Sequence, residues 1–224
     1  MEDNYYKGDK GKQYFEARQN ENDEYGYFLN AKFFTPFIKE NSRVLEFGSG
    51  SGKLMYGIKQ SVSFPFELFG FEINDTSVNA ANEKGLHTTS DFSLIEKQGP
   101  FDVIYTSHVL EHISDIQKEL LNLKKLLRKG GKLVVLLPID DWKNKYQQSF
   151  SKNDIDKHLH TWTPRLFANN LFELDFEVSE CKVIRQAWHP KLFWLIKLAP
   201  NLMQRILSTL LKSQQLYAVS YVNE

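Results

Sequence analysis

Residues 43–52, with the sequence RVLEFGSGSG, constrain the fold more than any other part of this chain. A short apolar run ends in glycines at positions 48, 50 and 52, and a helix-like segment follows. Glycine permits a tight turn from strand to helix and lets a ligand lie against bare backbone. The pattern predicts a nucleotide-type ligand site at the carboxyl end of a parallel strand, and its alternative is a sharp turn without a ligand.

The spacing of these glycines argues against the two common phosphate-binding loops. A dinucleotide fingerprint needs a further glycine at position 53, which is Lys53, and a P-loop needs Ser or Thr next, where Leu54 stands. An NAD-linked oxidoreductase is therefore disfavoured.

Strand-like and helix-like segments alternate along the chain. This alternation predicts an α/β sheet with mostly parallel strands and ligands at their carboxyl ends. We expect a helical, aromatic N-terminal extension over residues 1–40, on the substrate side, and one domain over 41–224. The predicted strands are 43–47, 67–71, 101–106, 132–137, 175–184 and 215–222, and the predicted helices are 76–83 and 115–128, the second ended by Gly130 and Gly131.

Composition narrows the classes of partner and compartment. Lys plus Arg and Asp plus Glu both number 28, so no net charge attracts nucleic acid, which makes it a disfavoured partner. The single Cys181 excludes an intrachain disulfide and suits a reducing compartment. Residues 1–4, Met-Glu-Asp-Asn, are acidic and polar, whereas a secretory signal begins with positive charge. We therefore expect a cytoplasmic protein.

Two acidic residues beyond the glycine loop are further candidates for ligand contacts, and the first of them follows the predicted strand 67–71. Glu72 lies 20 residues after Gly52, where a carboxylate can accept hydrogen bonds from two ribose hydroxyls. Asp91 stands beside the aromatic Phe92. Each acid has a plainer interpretation, as an exposed strand-end acid or a turn residue.

The segment Glu46 to Gly52 fits the pattern E/D-x-G-x-G-x-G and resembles the loop of class I S-adenosylmethionine-dependent methyltransferases. Residues 101–113 and 126–135 resemble two later motifs of that family, with Lys129 in place of the usual proline. The resemblance covers residues 43–138, under half of the chain. It implies a Rossmann-like, seven-stranded, mostly parallel sheet with helices on both faces and an antiparallel last strand.

The same resemblance implies S-adenosylmethionine as the cofactor. In the family an acid such as Asp91 accepts the adenine amine, and its neighbour packs on the ring. The residues that the resemblance assigns to cofactor binding are Glu46, Gly48, Ser49, Gly50, Glu72, Ile73, Asp91, Phe92 and Ser107.

Some methyl acceptors can be excluded. The Asn/Asp-Pro-Pro-aromatic segment of amino-directed DNA methyltransferases is absent. Methyl transfer to carbon 5 of a pyrimidine needs a cysteine nucleophile, and the single Cys181 lies far from the cofactor loops in sequence. A hydroxyl, or an amine, activated by histidine remains. The candidate catalytic residues are His108, His112 and His160, and a packing role is the alternative for His112 and His160.

A metal site is the sharper alternative for these histidines, although we expect none. His108, Glu111 and His112 could present three ligands on one helix face, with His160 as a fourth. A related glutamate-rich set occurs in RNA 3′-end ribose methyltransferases and some quinone O-methyltransferases. His108 stands where those proteins have glutamate.

Residues 188–213 form an amphipathic, basic insertion. Between positions 181 and 223 there are six basic residues and no acidic one. The insertion covers the site, forms a homodimer face or docks on anionic lipid as a peripheral membrane contact. Helical spacing predicts an apolar face of Leu202, Met203, Ile206, Leu207, Leu210 and Leu211, and a polar face of Gln204, Arg205, Ser208 and Lys212.

The expected substrate is a small-molecule or glycan hydroxyl, with a lipid-linked glycan suited to a membrane-docked insertion. A quinone or phenol comes second, and the ribose of RNA third. The competing hypothesis is a non-catalytic relative that binds the cofactor, or merely keeps the fold, and serves as a scaffold or regulator.

Overall fold

Seven strands form one sheet in the computed structural model, which describes residues 5–17, 23–140, 149–186, 199–211 and 213–223. The strand order is β3-β2-β1-β4-β5-β7-β6. The strands are β1 Arg43–Phe47, β2 Glu67–Phe71, β3 His87–Thr89, β4 Phe101–Ser107, β5 Leu127–Ile139, β6 Phe176–Ile184 and β7 Gln214–Val222.

The direction of the strands confirms the predicted fold class. Strands β1 to β5 pair in parallel, and β7, the last in sequence, runs antiparallel to both β5 and β6. The carboxyl ends of β1, β2, β3 and β4 therefore meet at one edge of the sheet.

Helices cover both faces of the sheet. They are α1 Gly8–Ala17, α2 Asp23–Ala31, α3 Lys53–Ser61, α4 Asp75–Glu83, α5 Phe92–Gln98, α6 Ile116–Leu126, α7 Pro164–Glu173 and α8 Pro200–Leu211. Successive residues of β1 enter different cores because side chains alternate along a strand. Leu45 packs with Leu120 of α6 on one face, and Val44 packs with Ile58 of α3 on the other.

Two predicted strands, 43–47 and 67–71, are confirmed to the residue, but the boundary between α6 and β5 is not where we expected it. Helix α6 ends at Leu126, and Leu127 already pairs with Phe101 of β4. A Cβ at Gly131 would lie 3.0 Å from the Phe101 carbonyl oxygen, so this glycine permits a close approach between strands. The prediction that the glycine pair ends the helix was wrong.

The N-terminal region contributes helices α1 and α2, which lie against the main fold. The Asn74 amide donates to the Gly11 carbonyl at 2.7 Å, and the Tyr217 hydroxyl donates to the Phe33 carbonyl at 3.1 Å. The first contact places α1 beside the residues that follow β2, and the second joins the segment after α2 to β7. The division at residue 40 stays a prediction.

Helix α8 divides its faces differently from the prediction. Gln204 and Ser208 are buried, whereas Leu202 and Leu210 are 57% and 71% exposed. The buried polar groups have partners: the Gln204 amide oxygen accepts from Lys32 Nζ at 3.2 Å, and the Ser208 hydroxyl donates to the Ser213 carbonyl. The buried face of α8 therefore combines hydrogen-bonded polar side chains with the apolar Leu207.

The rest of the predicted insertion, residues 187–198 and 212, lies outside the described residues. None of the described helices is long and apolar enough to cross a membrane. Peripheral membrane contact and dimerisation through residues 188–213 stay predictions.

Candidate active site

Four strand ends bring the predicted cofactor residues to the same edge of the sheet. The glycine loop follows β1, Glu72 follows β2, Asp91 follows β3, and Ser107 ends β4. The three loop glycines have positive φ angles of 78°, 50° and 72°, the left-handed region that glycine adopts without steric cost.

Glu72 joins the glycine loop to the end of β2. Its carboxylate oxygens accept from Gly50 N and Asn74 N, both at 2.9 Å. Burial raises the pKa of Glu72, and these two backbone hydrogen bonds oppose the shift. A carboxylate has about four acceptor positions, so two remain for ligand hydroxyls.

Asp91 and its neighbours surround the end of β3. The exposed Asp91 carboxylate caps α5 by accepting from Ser93 N at 2.9 Å, and this bonding lowers its pKa. Phe92 packs edge-on against Phe71, with ring centroids 5.3 Å apart. Ile73 is partly buried against the same apolar core. Asp91 therefore has a structural role here in addition to its predicted ligand role.

Two serine hydroxyls beside this edge lack hydrogen-bond partners among the described residues. Ser49 Oγ and Ser107 Oγ are both buried, and an unpaired buried hydroxyl is costly unless a ligand or water satisfies it. Glu46 is different: its carboxylate is buried and accepts from the Tyr105 hydroxyl at 2.9 Å. Glu46 thus points into the protein, where burial raises its pKa.

A second group of side chains lies just after β4, and we call it the carboxylate–histidine cluster: His108, Glu111, His112 and His158. Glu111 is at its centre, with a side chain only 1% exposed. Its Oε1 lies 3.7 Å from His112 Nε2, 3.8 Å from His108 Nδ1 and 4.0 Å from His158 Nε2. Neither Glu111 oxygen has a hydrogen-bond partner among the described residues.

The short turn that carries the cluster packs directly on the glycine loop. A Cβ added to Gly48 would overlap the Val109 side chain. His108 adopts a left-handed conformation, with φ of 57°, which is uncommon for a non-glycine residue and recurs at functional sites. The cluster therefore adjoins the predicted cofactor loop.

His158 comes from a distant segment that docks on the same turn. Leu159 N and His160 N both donate to the Glu111 carbonyl, at 2.8 and 3.2 Å. His158 Nδ1 bonds to Asp140 Oδ2 at 2.7 Å. Burial lowers the pKa of His158, but the hydrogen bond and charge of Asp140 outweigh it and raise that pKa.

The structure brings His108 and His112 to the cluster but places His160 elsewhere. His160 Nε2 bonds to the Ile113 carbonyl at 2.9 Å, and its ring lies on Trp162. The sequence interpretation missed His158, together with its partner Asp140. Both histidines stand in the tetrapeptide KHLH, and only the docking of the segment decides which one faces Glu111.

Burial of Glu111 predicts a pH-dependent stability. Burial raises its pKa from 4.5 to about 7, so the folded protein holds this proton more tightly than the unfolded chain. The contribution of Glu111 to folding stability therefore falls as pH rises from 4.5 to about 7 and stays lower above that range, by on the order of 3 kcal/mol. In metal-free buffer we expect Glu111→Gln to be more stable than wild type at pH 8, with the gain lost near pH 4.5.

Urea unfolding at both pH values measures this difference. Glu119→Gln is a control with a less buried acid. An equal effect of Glu111→Gln at both pH values would contradict the assignment.

Comparisons with known proteins agree with this architecture. Residues 17–180 match the family model described as a methyltransferase domain. A stretch of 115 residues is 34% identical to a ubiquinone biosynthesis O-methyltransferase of Caulobacter sp. (strain K31). This match spans 45% of the chain and 42% of that relative's length.

Two solved structures share the fold at low sequence identity. Phosphoethanolamine N-methyltransferase 2 of Haemonchus contortus, in complex with S-adenosylhomocysteine, superposes with a TM-score of 0.63 at 12% identity, over 94% of this chain and 59% of its own. A SAM-dependent methyltransferase of Archaeoglobus fulgidus gives 0.59 at 18% identity, over 88% and 94%. The family match covers well over half of this chain, and the chain therefore belongs to the S-adenosylmethionine-dependent methyltransferase domain family.

Proposed function

We propose that this protein transfers a methyl group from S-adenosylmethionine to a hydroxyl oxygen of a small molecule or glycan. The observation that carries the proposal is the carboxylate–histidine cluster, which adjoins the glycine loop through the contact between Val109 and Gly48. Imidazoles are suited to removing a hydroxyl proton near neutral pH. An amine acceptor, already nucleophilic when neutral, has less need of such a group.

The residues at the strand ends fit the cofactor. Gly50 has nothing within 4 Å of an added Cβ, so it leaves open space beside the loop. Glu72 has acceptor capacity for ribose hydroxyls. A polar ligand can also satisfy the hydroxyls of Ser49 and Ser107, which have no hydrogen-bond partner within the described part of the chain. When bound, the cofactor supplies a methyl carbon that bonds to the acceptor oxygen as the carbon–sulfur bond breaks, its electron pair staying on sulfur.

The chain's own residues have two tasks in this reaction. They hold the acceptor oxygen in line with the methyl group, and they remove its proton. The cluster is suited to the second task because three imidazoles surround one buried carboxylate.

A quinone or phenol is the second candidate acceptor. The similarity to a ubiquinone biosynthesis O-methyltransferase favours it, although the match spans less than half of that relative. Transfer of labelled methyl groups to a panel of catechols, sugars and amines tests the proposal. Transfer to amines alone would contradict it, and no transfer to any compound by a protein that binds S-adenosylhomocysteine would favour the scaffold hypothesis.

We expect Glu72→Ala to weaken S-adenosylhomocysteine binding by ~1–3 kcal/mol, because the carboxylate holds ribose hydroxyls and also fixes the loop through Gly50 N. Isothermal titration calorimetry measures the change. Glu67→Ala, at the opposite end of β2, is the matched control and should bind as wild type does. Equal affinities for Glu72→Ala and wild type would show that Glu72 does not contact the ligand.

A further inference from the structure

Hydrogen-bond partners assign the tautomers of the three cluster histidines. The Tyr6 hydroxyl donates to the Asp156 carbonyl at 2.8 Å, so at 2.9 Å it accepts from His112 Nδ1. His158 Nδ1 donates to the Asp140 carboxylate at 2.7 Å. In neutral imidazoles the opposite nitrogen, Nε2, then carries no proton.

His108 follows the same rule. The Gln215 side-chain amide donates to the Gln186 carbonyl at 3.0 Å, which leaves its oxygen to accept from His108 Nε2 at 3.2 Å. Its Nδ1 is then the unprotonated nitrogen. All three imidazoles thus turn an electron-pair donor atom toward Glu111.

Among the residues that the structure describes, only imidazoles lie within ion-pair distance of the Glu111 carboxylate, and in their neutral forms they bring no positive charge to it. Glu111 is buried and acceptor-only when ionised, and its neighbours at 3.7 to 4.0 Å offer acceptor nitrogens at distances too long for hydrogen bonds. A buried carboxylate in such surroundings is stabilised by a proton or a cation. Two ligands about 2.1 Å from one ion can lie up to about 4.2 Å apart, which these separations satisfy.

We propose that Glu111, His112 and His158 bind a divalent transition-metal ion such as Zn²⁺, Mn²⁺, Fe²⁺ or Co²⁺. Their ligand atoms lie within 4.8 Å of one another, so a small side-chain rotation brings all three to one ion. Two imidazoles and one carboxylate suit these ions, whereas Mg²⁺ prefers oxygen ligands. Tyr6 and Asp140 orient the imidazoles from behind, as partners of metal-bound histidines do.

The site deepens the proposed function, on which its catalytic role rests. Three protein ligands leave coordination positions open, and an acceptor hydroxyl bound there loses its proton more easily. His108 is 43% exposed, the most exposed of the cluster, and its Nδ1 faces the site. It is placed to receive that proton and pass it to solvent, and an acceptor with two adjacent oxygens could chelate the ion.

Metal binding can be measured without turnover. We expect chelator-treated protein to bind one equivalent of Co²⁺ or Zn²⁺, followed by visible Co²⁺ absorption and by calorimetry, and to bind Mg²⁺ much more weakly. Glu111→Gln and His158→Ala should each weaken Co²⁺ binding by more than ~100-fold, and Tyr6→Phe by ~10–100-fold, the range for partners of metal ligands. His87→Ala, an exposed histidine on β3, is the control and should bind as wild type does.

Binding of S-adenosylhomocysteine by every variant confirms that each is folded. Absence of Co²⁺ and Zn²⁺ binding in the wild type, or affinities unchanged by Glu111→Gln, would overturn the metal site. Methyl transfer that persists in excess chelator would overturn its catalytic role and leave the proposed function intact. Failure to bind S-adenosylhomocysteine would instead remove the proposed function.

Discussion

Replacing His158 with alanine is expected to lower turnover by ~10²–10⁴-fold, the range for loss of assistance to proton removal, because it removes a ligand of the proposed metal ion. The residue contacts the cluster through Glu111 and is held there by Asp140 at 2.7 Å. Cofactor affinity should stay within a few-fold of wild type, because His158 belongs to the acceptor side. Single-turnover kinetics with labelled S-adenosylmethionine measures the rate, and calorimetry measures the affinity.

His160→Ala is the matched control for this prediction. It removes an imidazole two residues away that bonds to a backbone carbonyl, so its effect should fall on stability more than on turnover. Asp140→Asn keeps the shape of the partner but removes its charge. The raised pKa of His158 should then fall toward its ordinary value, and the acid limb of the rate profile should move to lower pH. A larger loss of turnover in His160→Ala than in His158→Ala would contradict the assignment.

The second large effect is expected at Gly48. Gly48→Ala should destabilise the fold by ~2–5 kcal/mol, the sum of ~1–2 for a side chain at positive φ and ~1–3 for forcing it against Val109. Thermal and urea unfolding measure the loss. Val109→Ala in the same chain should recover part of it, because the clash is with the valine methyl groups.

Gly50→Ala is the paired variant, because it shares the positive φ but meets nothing within 4 Å. It should lose only ~1–2 kcal/mol of stability. We expect its new methyl group to intrude on the cofactor, so affinity for S-adenosylhomocysteine should fall more than stability. The reverse order of effects at the two glycines would mean that the loop does not cradle the ligand.

Strong periodic and compositional signals predicted much of this fold. Strands β1 and β2 combine apolar runs with clear ends, and both were predicted to the residue. Strand β3 has three residues and α5 has seven, too few for a periodic pattern, and the sequence did not reveal them. Gly130 and Gly131 lie within β5, and they led to a wrong prediction of the end of α6. Glycine is common both at helix ends and where strands pack closely, as Gly131 does here.

The active site was predictable in part for a similar reason. Residues next to strand ends, such as Glu72 and His112, are placed by the topology itself, so sequence order was sufficient. His158 bonds to Asp140, 18 residues away in sequence, and Tyr6 bonds to His112, 106 residues away. Such contacts depend on how loops dock, which the sequence pattern does not indicate. The prediction of the buried face of α8 was wrong because the polar side chains of Gln204 and Ser208 are buried with hydrogen-bond partners. Lys32, far away in sequence, bonds to Gln204, and the carbonyl of Ser213, past the end of the helix, accepts from Ser208.

The strand order carries a consequence for how this protein could acquire new substrates. From β1 the chain proceeds outward to β2 and β3, then returns to place β4 on the other side of β1. The connections leaving β1 and β4 therefore run to opposite sides of the sheet, and this switch point is where open α/β sheets bind their ligands. Such a position is a property of connectivity and needs no particular side chain. Acceptor chemistry can change through residues 107–112 and 156–160 while the sheet beneath stays the same.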